Sequence, residues 1–329
     1  MQHTRLGRTG LRVSRLCLGT MTFGLQCDER TSVAILDAAA KGGVTFLDTA
    51  DVYPLGGGFD TVGRTEEILG RWLQGRRQDF VVATKCNMPM SARPWDRGNS
   101  RKHVLDAIDA SLRRLRTDHV DLYQLHAPDP ETPIDETLRA LEDLVRAGKA
   151  RHVGCSNFLA YQVARALGRS EALGVVRFDS VQPRYNLLFR EAERELLPLC
   201  LEEGVGVIAY NPIAGGLLSG KHAGGAPPAG SRFTLGTAAQ RYVDRYWHED
   251  MFETVGRIRP LAAEAGLDLV TLAVRWVMAN PAVTAPIIGA SRPEQLAPAL
   301  AAAEAPLSAD LKTKLDELTA GYRRGDAGR

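Results

Sequence analysis

The sequence predicts an α/β fold, a (β/α)8 TIM barrel. Eight short apolar or β-branched segments alternate with longer segments of helical period, which predicts parallel strands joined by helices. The chain has 329 residues, enough for a barrel that takes roughly 250 residues. A doubly wound sheet shows the same alternation, but no Gly-x-Gly-x-x-Gly follows the first predicted strand. This absence disfavours the dinucleotide-binding form of that fold.

The eight predicted strands are short and largely apolar, as is typical of strands buried on both faces. In chain order they are Arg15–Gly19, Thr45–Asp48, Phe80–Lys85, Val120–His126, Ala150–Cys155, Asp179–Gln182, Gly206–Tyr210 and Thr284–Ile288. The predicted helices are Ser32–Lys41, Thr65–Gln74, Arg101–Leu115, Ile134–Ala147, Ala160–Leu167, Glu191–Glu203, Glu249–Ala265, Leu269–Asn280, Pro293–Ala303 and Ser308–Ala320. Ser100 is a candidate N-cap for its helix, and Gly204 stands where another helix ends.

No linker divides the chain, so residues 1–329 are expected to form a single barrel domain, with 321–329 as a flexible tail. The longest irregular stretch, Gly215–His248, is interpreted as a loop inserted after the seventh strand. A second glycine-rich insertion, Leu55–Gly63, follows the second strand. Both insertions lie on the strand-to-helix side, where a barrel of this kind carries its active site.

Composition and charge exclude several classes of protein. Lys+Arg is 41 and Asp+Glu is 39, a net charge of +2, which provides no basic field for nucleic acid. The five cysteines form no Cys-x-x-Cys pair, which argues against a disulfide framework and a zinc site. No apolar run approaches the ~18 residues of a membrane span. We therefore expect a cytoplasmic protein with no metal, no membrane partner and no nucleic-acid partner.

Chemically useful side chains stand at the carboxyl ends of the predicted strands, which converge at one mouth of a barrel. Asp48, Tyr53, Lys85 and His126 come from successive units. The pKa of a free tyrosine is near 10, and a nearby ammonium lowers it because the cation favours the phenolate. An aspartate beside the lysine would keep that ammonium charged and oriented.

A histidine across the cavity could hydrogen-bond a substrate carbonyl. Each residue alone is more often a helix cap, a solvated charge or a core histidine than a catalyst. The four together at one mouth predict the protonation of an oxygen that becomes an alkoxide.

Several motifs resemble the signatures of the aldo-keto reductases. Three of them carry the four candidate catalytic residues: Phe46–Tyr53, Ala83–Lys85 and Asp121–His126. The other matching segments are Leu18–Met21, Gly154–Phe158, Tyr210–Leu218 and Ile288–Leu296. The resemblance runs from about Arg5 to Ala301 in the order of the family. The chain is most similar to bacterial reductases related to the potassium-channel β subunits.

This resemblance implies a (β/α)8 barrel that uses NADPH to reduce an aldehyde or ketone, with keto-sugars and hydroxyketones as candidate substrates. Tyr53 would be the general acid, and Lys85 would lower its pKa. Asp48 would hold Lys85, and His126 would orient the carbonyl group.

The resemblance also implies a cofactor site. The residues that would contact NADPH are Gly19, Thr20, Met21, Asp48, Ser156, Asn157, Gln182, Tyr210, Asn211, Pro212, Ile213, Gly215, Leu217, Lys221, Arg232, Gly289, Ser291, Arg292 and Gln295. Ser156, Asn157 and Gln182 would bond the nicotinamide carboxamide, and Tyr210 would stack on the ring. The run from Asn211, with Lys221 and Arg232, would follow the pyrophosphate, and the last four residues would take the adenosine end. Arg292 matches a 2′-phosphate, because a guanidinium fork fits phosphate.

The chain departs from the family pattern at two positions of the expected cofactor site. Ala299 stands where the family often has an asparagine that touches adenine, and Asn211 replaces a common serine. Neither change touches the four candidate catalytic residues.

Two other functions stay open. A cofactor-binding regulatory or interaction subunit with weak reductase activity would share this fold. A Schiff-base lyase would use Lys85 as a nucleophile, but an adjacent Asp48 would keep that amine protonated.

Overall fold

The computed structural model describes residues 1–222 and 224–323, and within them a small hairpin precedes a closed barrel. The hairpin pairs β1 (His3–Arg5) with β2 (Arg12–Ser14) antiparallel. The barrel strands are β3 (Cys17–Gly19), β4 (Phe46–Asp48), β5 (Val81–Cys86), β6 (Val120–Leu125), β7 (Ala150–Ser156), β8 (Ser180–Gln182), β9 (Gly206–Ala209) and β10 (Val283–Ile288). They pair in parallel in chain order, and β10 closes the ring against β3. The predicted (β/α)8 barrel is confirmed.

Helices surround the barrel on its outer face. They are α1 (Glu29–Lys41), α2 (Arg64–Trp72), α3 (Arg101–Leu115), α4 (Ile134–Arg146), α5 (Ala160–Leu173), α6 (Leu196–Glu203), α7 (Ala239–Tyr246), α8 (Glu249–Glu264), α9 (Leu269–Met278), α10 (Ala297–Ala301) and α11 (Ala309–Leu318). Helix α3 has the predicted bounds, and the Ser100 side chain caps it by accepting from the His103 backbone N–H. Among the described helices, none is long and apolar enough to cross a membrane.

The interior of the barrel changes from apolar to polar along the strands. Its lower layer is the cluster of Leu6, Val13, Cys17, Phe46, Ala83, Leu122, Ile208 and Ala285, in which two hairpin residues close the bottom. Side chains two residues apart point to the same face of a strand. The next inward positions on β4, β5 and β6 are therefore Asp48, Lys85 and Gln124, all buried. The strands thus place a polar layer directly above an apolar floor.

The stretch Gly215–His248, predicted to be a loop, contains a helix. Helix α7 buries Tyr242 and Tyr246, which are 4% and 0% exposed. Two hydrogen bonds connect the segment before α7 with the loops after β3 and β4. The Gln26 side chain donates to the Gly230 carbonyl at 3.0 Å, and the Thr237 N–H donates to the Gly56 carbonyl at 3.3 Å. The described residues of the insertion therefore form a wall of the mouth.

The predicted flexible tail begins within a short helix. Residues 321–323 belong to a 3-10 helix, Ala320–Arg323. The Tyr322 carbonyl accepts from the Arg190 N–H at 3.0 Å, and the hydroxyls of Tyr322 and Thr254 lie 2.9 Å apart. Residues 324–329 of the predicted tail lie outside the described residues.

Candidate active site

A buried ion pair lies in the polar layer of the barrel. Lys85 Nζ donates to Asp48 Oδ2 at 2.5 Å and to the Thr49 carbonyl at 2.8 Å, and the Lys85 side chain is 0% exposed. Asp48 Oδ1 accepts from the side-chain amides of Gln124 and Gln182, at 3.1 and 2.8 Å. Because both carboxylate oxygens have strong donors, the charge of Asp48 is stabilised despite its burial.

Gln124 is a site residue that sequence analysis missed. It lies opposite Lys85 in the register of β5 and β6, and its amide oxygen accepts a hydrogen bond from the Gln182 side-chain nitrogen at 3.3 Å. The signal was present, because Gln124 stands two residues after the apolar Leu122 on an inward-facing strand position.

Tyr53 and His126 lie together next to this ion pair. Tyr53 follows β4 and is 8% exposed, and Lys85 Nζ lies 5.3 Å from the centroid of its ring. The His126 ring packs edge-on to Tyr53, with centroids 5.7 Å apart. The structure therefore brings together all four residues predicted to be catalytic.

The pKa of Tyr53 moves in the direction opposite to the one expected. Burial raises this pKa well above its usual value, and the negative charge of Asp48 raises it further. The charge of Arg232 opposes the shift. Tyr53 is consequently a protonated phenol at neutral pH, which is the form that can donate a proton.

His126 is neutral in the folded protein. Burial, then Lys85 and Arg241, lower its pKa from 6.5 to about 3, and its Nδ1 is buried without a partner among the described residues. A neutral imidazole has one N–H donor, so His126 can hydrogen-bond a carbonyl oxygen without carrying a charge.

We expect the depressed pKa of His126 to make the protein acid-sensitive. The folded pKa of about 3 lies below the ordinary 6.5, so the unfolded chain takes up this proton first. The contribution of His126 to the free energy of unfolding is therefore fully present above pH 6.5, and it is lost as the pH falls towards 3. By pH 5 the loss is up to about 2 kcal/mol. Between pH 7.5 and pH 5, the free energy of unfolding measured with urea should fall by up to about 2 kcal/mol more in the wild type than in His126→Asn, because the lowered pKa values of His103 and His222 act in both proteins. An identical pH dependence of the two proteins would contradict the assignment.

Side chains at the carboxyl ends of β7 and β8 form a polar cluster next to Tyr210. Ser156 Oγ donates to the Gln182 carbonyl at 2.8 Å, and Asn157 donates to Ser156 Oγ at 3.1 Å and to the His126 carbonyl at 2.8 Å. The Tyr210 hydroxyl donates to Asn157 Oδ1 at 2.6 Å. The residues expected at the nicotinamide end are thus bonded to one another and to the His126 backbone. The Gln182 amide nitrogen donates to Asp48 Oδ1 and to Gln124 Oε1. Only the amide oxygen of Gln182 can therefore bond a carboxamide.

The chain after β9 makes a tight turn of the kind that presents backbone N–H groups. Asn211 has φ +59°, and Gly215 and Gly216 have φ +69° and +108°, conformations that favour glycine. The Asn211 side-chain nitrogen is buried without a partner among the described residues. Of the other residues predicted to contact the cofactor here, Leu217 is fully buried in the core, so only its backbone is available. Pro212 is also buried, Ile213 is half-buried, and Lys221 is exposed.

The chain after β10 and the end of β3 lie at the other rim of the mouth. Ser291 N and Oγ donate to Gln295 Oε1 at 2.9 and 3.1 Å, which shapes the turn between them. Gly289 and Arg292 are exposed there, and no described residue forms an ion pair with Arg292. Thr20 Oγ1 donates to the Asp48 carbonyl at 3.0 Å. Gly19 packs against Ile287, and the Met21 carbonyl accepts from Leu55.

A second buried charge network, which the sequence analysis did not identify, lies near Tyr53. Glu66 is 0% exposed and accepts from Thr84 Oγ1 at 2.5 Å and from Arg114 Nε at 2.7 Å. Asp51 is fully buried, and its carboxyl oxygens have no hydrogen-bond partner among the described residues. Burial and the charge of Glu66 raise the pKa of Asp51 well above its usual range. The Glu66 carboxylate thus connects α2 with β5 and α3.

Comparison with known proteins agrees with this geometry. Residues 15–320 match the sequence profile described as the Aldo/keto reductase family. The chain is 40% identical to the uncharacterized oxidoreductase YrpG of Bacillus subtilis (strain 168), over 98% of this chain and 97% of that protein. It is 39% identical to a probable voltage-gated potassium channel subunit beta of Arabidopsis thaliana, over 90% and 89%. It is 31% identical to the versiconal hemiacetal acetate reductase of Aspergillus parasiticus, over 96% of each chain. The chain belongs to the aldo/keto reductase family, and its oxidoreductase relatives support an oxidoreductase activity.

Proposed function

We propose that the protein is an NADPH-dependent carbonyl reductase in which Tyr53 is the general acid. The observation that carries this proposal is the position of Tyr53, a buried phenol between the Lys85–Asp48 ion pair and a neutral His126. A weak acid beside a cation and a neutral hydrogen-bond donor suits the protonation of a developing alkoxide.

The residues present fit a nicotinamide dinucleotide. The Asn211 amide and Arg232 Nη1 are buried donors without a partner among the described residues, as expected of groups that meet phosphate or ribose oxygens. The turn around Gly215 and Gly216 has the left-handed backbone found in anion-binding turns, and within it the Gly216 N–H donates to the Ile213 carbonyl at 2.9 Å. Arg292, exposed at the rim after β10, is the proposed partner of a 2′-phosphate.

The bound cofactor supplies a hydride to the carbonyl carbon. As the carbon–oxygen π bond breaks, the oxygen takes the proton of the Tyr53 hydroxyl and becomes an alcohol. His126 donates a hydrogen bond to the same oxygen and orients it. Lys85 stabilises the phenolate that Tyr53 leaves behind, and Asp48 keeps Lys85 in place. Solvent then returns a proton to Tyr53.

The proposed substrates are small aldehydes or ketones, with keto-sugars and hydroxyketones as candidates. A relative whose name is that of a hemiacetal acetate reductase supports carbonyl chemistry as the reaction class. The loops after β4, β5 and β9 line the mouth and would shape the substrate pocket.

Fluorescence titration with NADPH and NADH tests the cofactor assignment. We expect saturable binding that favours NADPH, because the guanidinium of Arg292 can pair with the 2′-phosphate. Arg292→Ala should weaken NADPH binding by about tenfold, close to 1.4 kcal/mol, and leave NADH binding unchanged. Failure to bind either nucleotide would overturn the reductase proposal, and an equal loss for both nucleotides would remove Arg292 from the 2′-phosphate site.

A second candidate is a cofactor-binding regulatory subunit with weak reductase activity. It is favoured by the 39% identity to a probable potassium channel subunit beta. The two functions differ in turnover. A single round of reduction followed by slow or absent recycling would support the regulatory role, and steady multiple turnover would support the enzyme.

A further inference from the structure

Three arginine side chains lie around Tyr210 at the mouth of the barrel. We call Arg184, Arg241 and Arg245 the arginine cluster. Arg184 pairs with Tyr210 in an isolated parallel bridge, and its Cζ lies 5.9 Å from the centroid of the Tyr246 ring, which neighbours Arg245 on α7. In agreement with this placement, burial raises the pKa of Tyr210 and the charges of all three arginines oppose that rise. Arg241 also acts on His126. Within residues 1–222 and 224–323, no carboxylate forms an ion pair with a member of the cluster.

Ring contacts position Arg184, and α7 carries the other two arginines. Arg184 follows β8 by two residues, is half-buried, and lies with Cζ 3.4 Å from the centroid of the Phe189 ring. Arg241 and Arg245 stand one turn apart on α7, and residues at that spacing share a helix face. The carboxylate on the same helix, Asp244, accepts from Gln240 at 2.7 Å.

Like charges held this close repel one another. Burial lowers the pKa of Arg184, Tyr246 opposes this effect, and the nearby charge of Arg245 lowers the pKa further. The chain as a whole carries only +2, so this concentration of positive charge is a local feature of the mouth. An anion bound among the three groups would remove the repulsion, and planar guanidinium forks fit carboxylate and phosphate oxygens.

We propose that the arginine cluster binds a carboxylate or phosphate group carried by the carbonyl substrate. The inference rests on the proposed reductase function and narrows its substrates to anionic carbonyl compounds. The contacts of Arg184 place the anionic group beside Tyr210 and α7, at the end of the substrate opposite the carbonyl oxygen that His126 binds. A mouth lined by one sign of charge also raises the rate of encounter with such substrates.

A matched pair of aldehydes tests the proposal. 4-Carboxybenzaldehyde carries a negative charge, and its methyl ester, methyl 4-formylbenzoate, does not. We expect wild-type kcat/KM to favour the carboxylate, and this preference to fall as salt is added. The double variant Arg241→Gln/Arg245→Gln should reduce the carboxylate-to-ester ratio about tenfold. Arg139→Gln, which removes an exposed arginine from the outer helix α4, is the control and should keep the ratio.

Two binding measurements separate this inference from the function on which it rests. The first is calorimetric titration with 4-(hydroxymethyl)benzoate, the alcohol product, which needs no turnover. The second is the NADPH dissociation constant of each variant. Product binding that is lost in the double variant with NADPH binding retained supports the anion site, even if neither aldehyde is reduced and the reductase proposal fails.

Three results would overturn the inference. The first is a wild-type enzyme that treats the two aldehydes alike at low salt. The second is equal product binding by the wild type and the double variant. The third is weakened NADPH binding in the double variant with an unchanged substrate ratio, which would assign the cluster to the cofactor phosphates.

Discussion

Tyr53→Phe is expected to lower kcat by roughly 10²–10⁴-fold, because it removes the one hydroxyl placed to protonate the substrate oxygen. The ring remains, so its packing against His126 and over Lys85 should persist. NADPH binding should therefore be retained. Steady-state kinetics with an aldehyde and fluorescence titration with NADPH measure the two quantities on the same preparation.

Tyr161→Phe is the matched control, because Tyr161 is 63% exposed on α5 and should tolerate loss of its hydroxyl. Near-normal turnover by Tyr53→Phe would remove Tyr53 from the acid role. Loss of NADPH binding in Tyr53→Phe would point to a structural effect of the substitution.

Lys85→Met is expected to lower the free energy of unfolding by roughly 3–5 kcal/mol, because it leaves the buried Asp48 carboxylate without its cation. It should also abolish most turnover. The double variant Asp48→Asn/Lys85→Met should recover part of the stability, since no unpaired charge remains, but not the activity. Urea unfolding monitored by circular dichroism measures the stability of all three proteins.

The chain provides a control with the same geometry in a different environment. Lys102 Nζ lies 2.5 Å from Asp106 Oδ2, the same separation as in the buried pair, but both side chains are more than half exposed. Exposed pairs contribute ~0–1 kcal/mol, so Lys102→Met should cost less than that. Equal effects of Lys85→Met and Lys102→Met would show that burial does not determine the strength of the Lys85–Asp48 pair.

The barrel strands could be predicted because each is a short apolar segment bounded by turn residues. The hairpin strands β1 and β2 could not, because three residues such as His3–Arg5 carry too little pattern. Helix α7 was missed for a related reason. It is short and mostly polar, and no side chain caps its start. It is held by Tyr242, whose ring contacts Arg232 of the insertion, and by Tyr246, whose hydroxyl accepts from the Asn186 side chain at 3.2 Å.

The four candidate catalytic residues could be predicted because the carboxyl ends of the strands converge in a barrel, independently of the conformation of the loops. The partners of Asp48 were harder to predict, because Gln124 lies within a strand and its role depends on the register between β5 and β6. The pKa direction of Tyr53 required the structure, because it depends first on the burial of the Tyr53 side chain and then on the nearby charge of Asp48. The arginine cluster likewise joins residues far apart in the chain.

The most direct test of the central claim follows the hydride. The purified protein is incubated with 4-carboxybenzaldehyde and NADPH that carries deuterium at the transferring position, and the alcohol is analysed by mass spectrometry. Our account predicts one deuterium on the carbinol carbon in the wild type and almost none formed by Tyr53→Phe. An alcohol without deuterium, or no alcohol formed from this or any other aldehyde or ketone although NADPH binds, would contradict it.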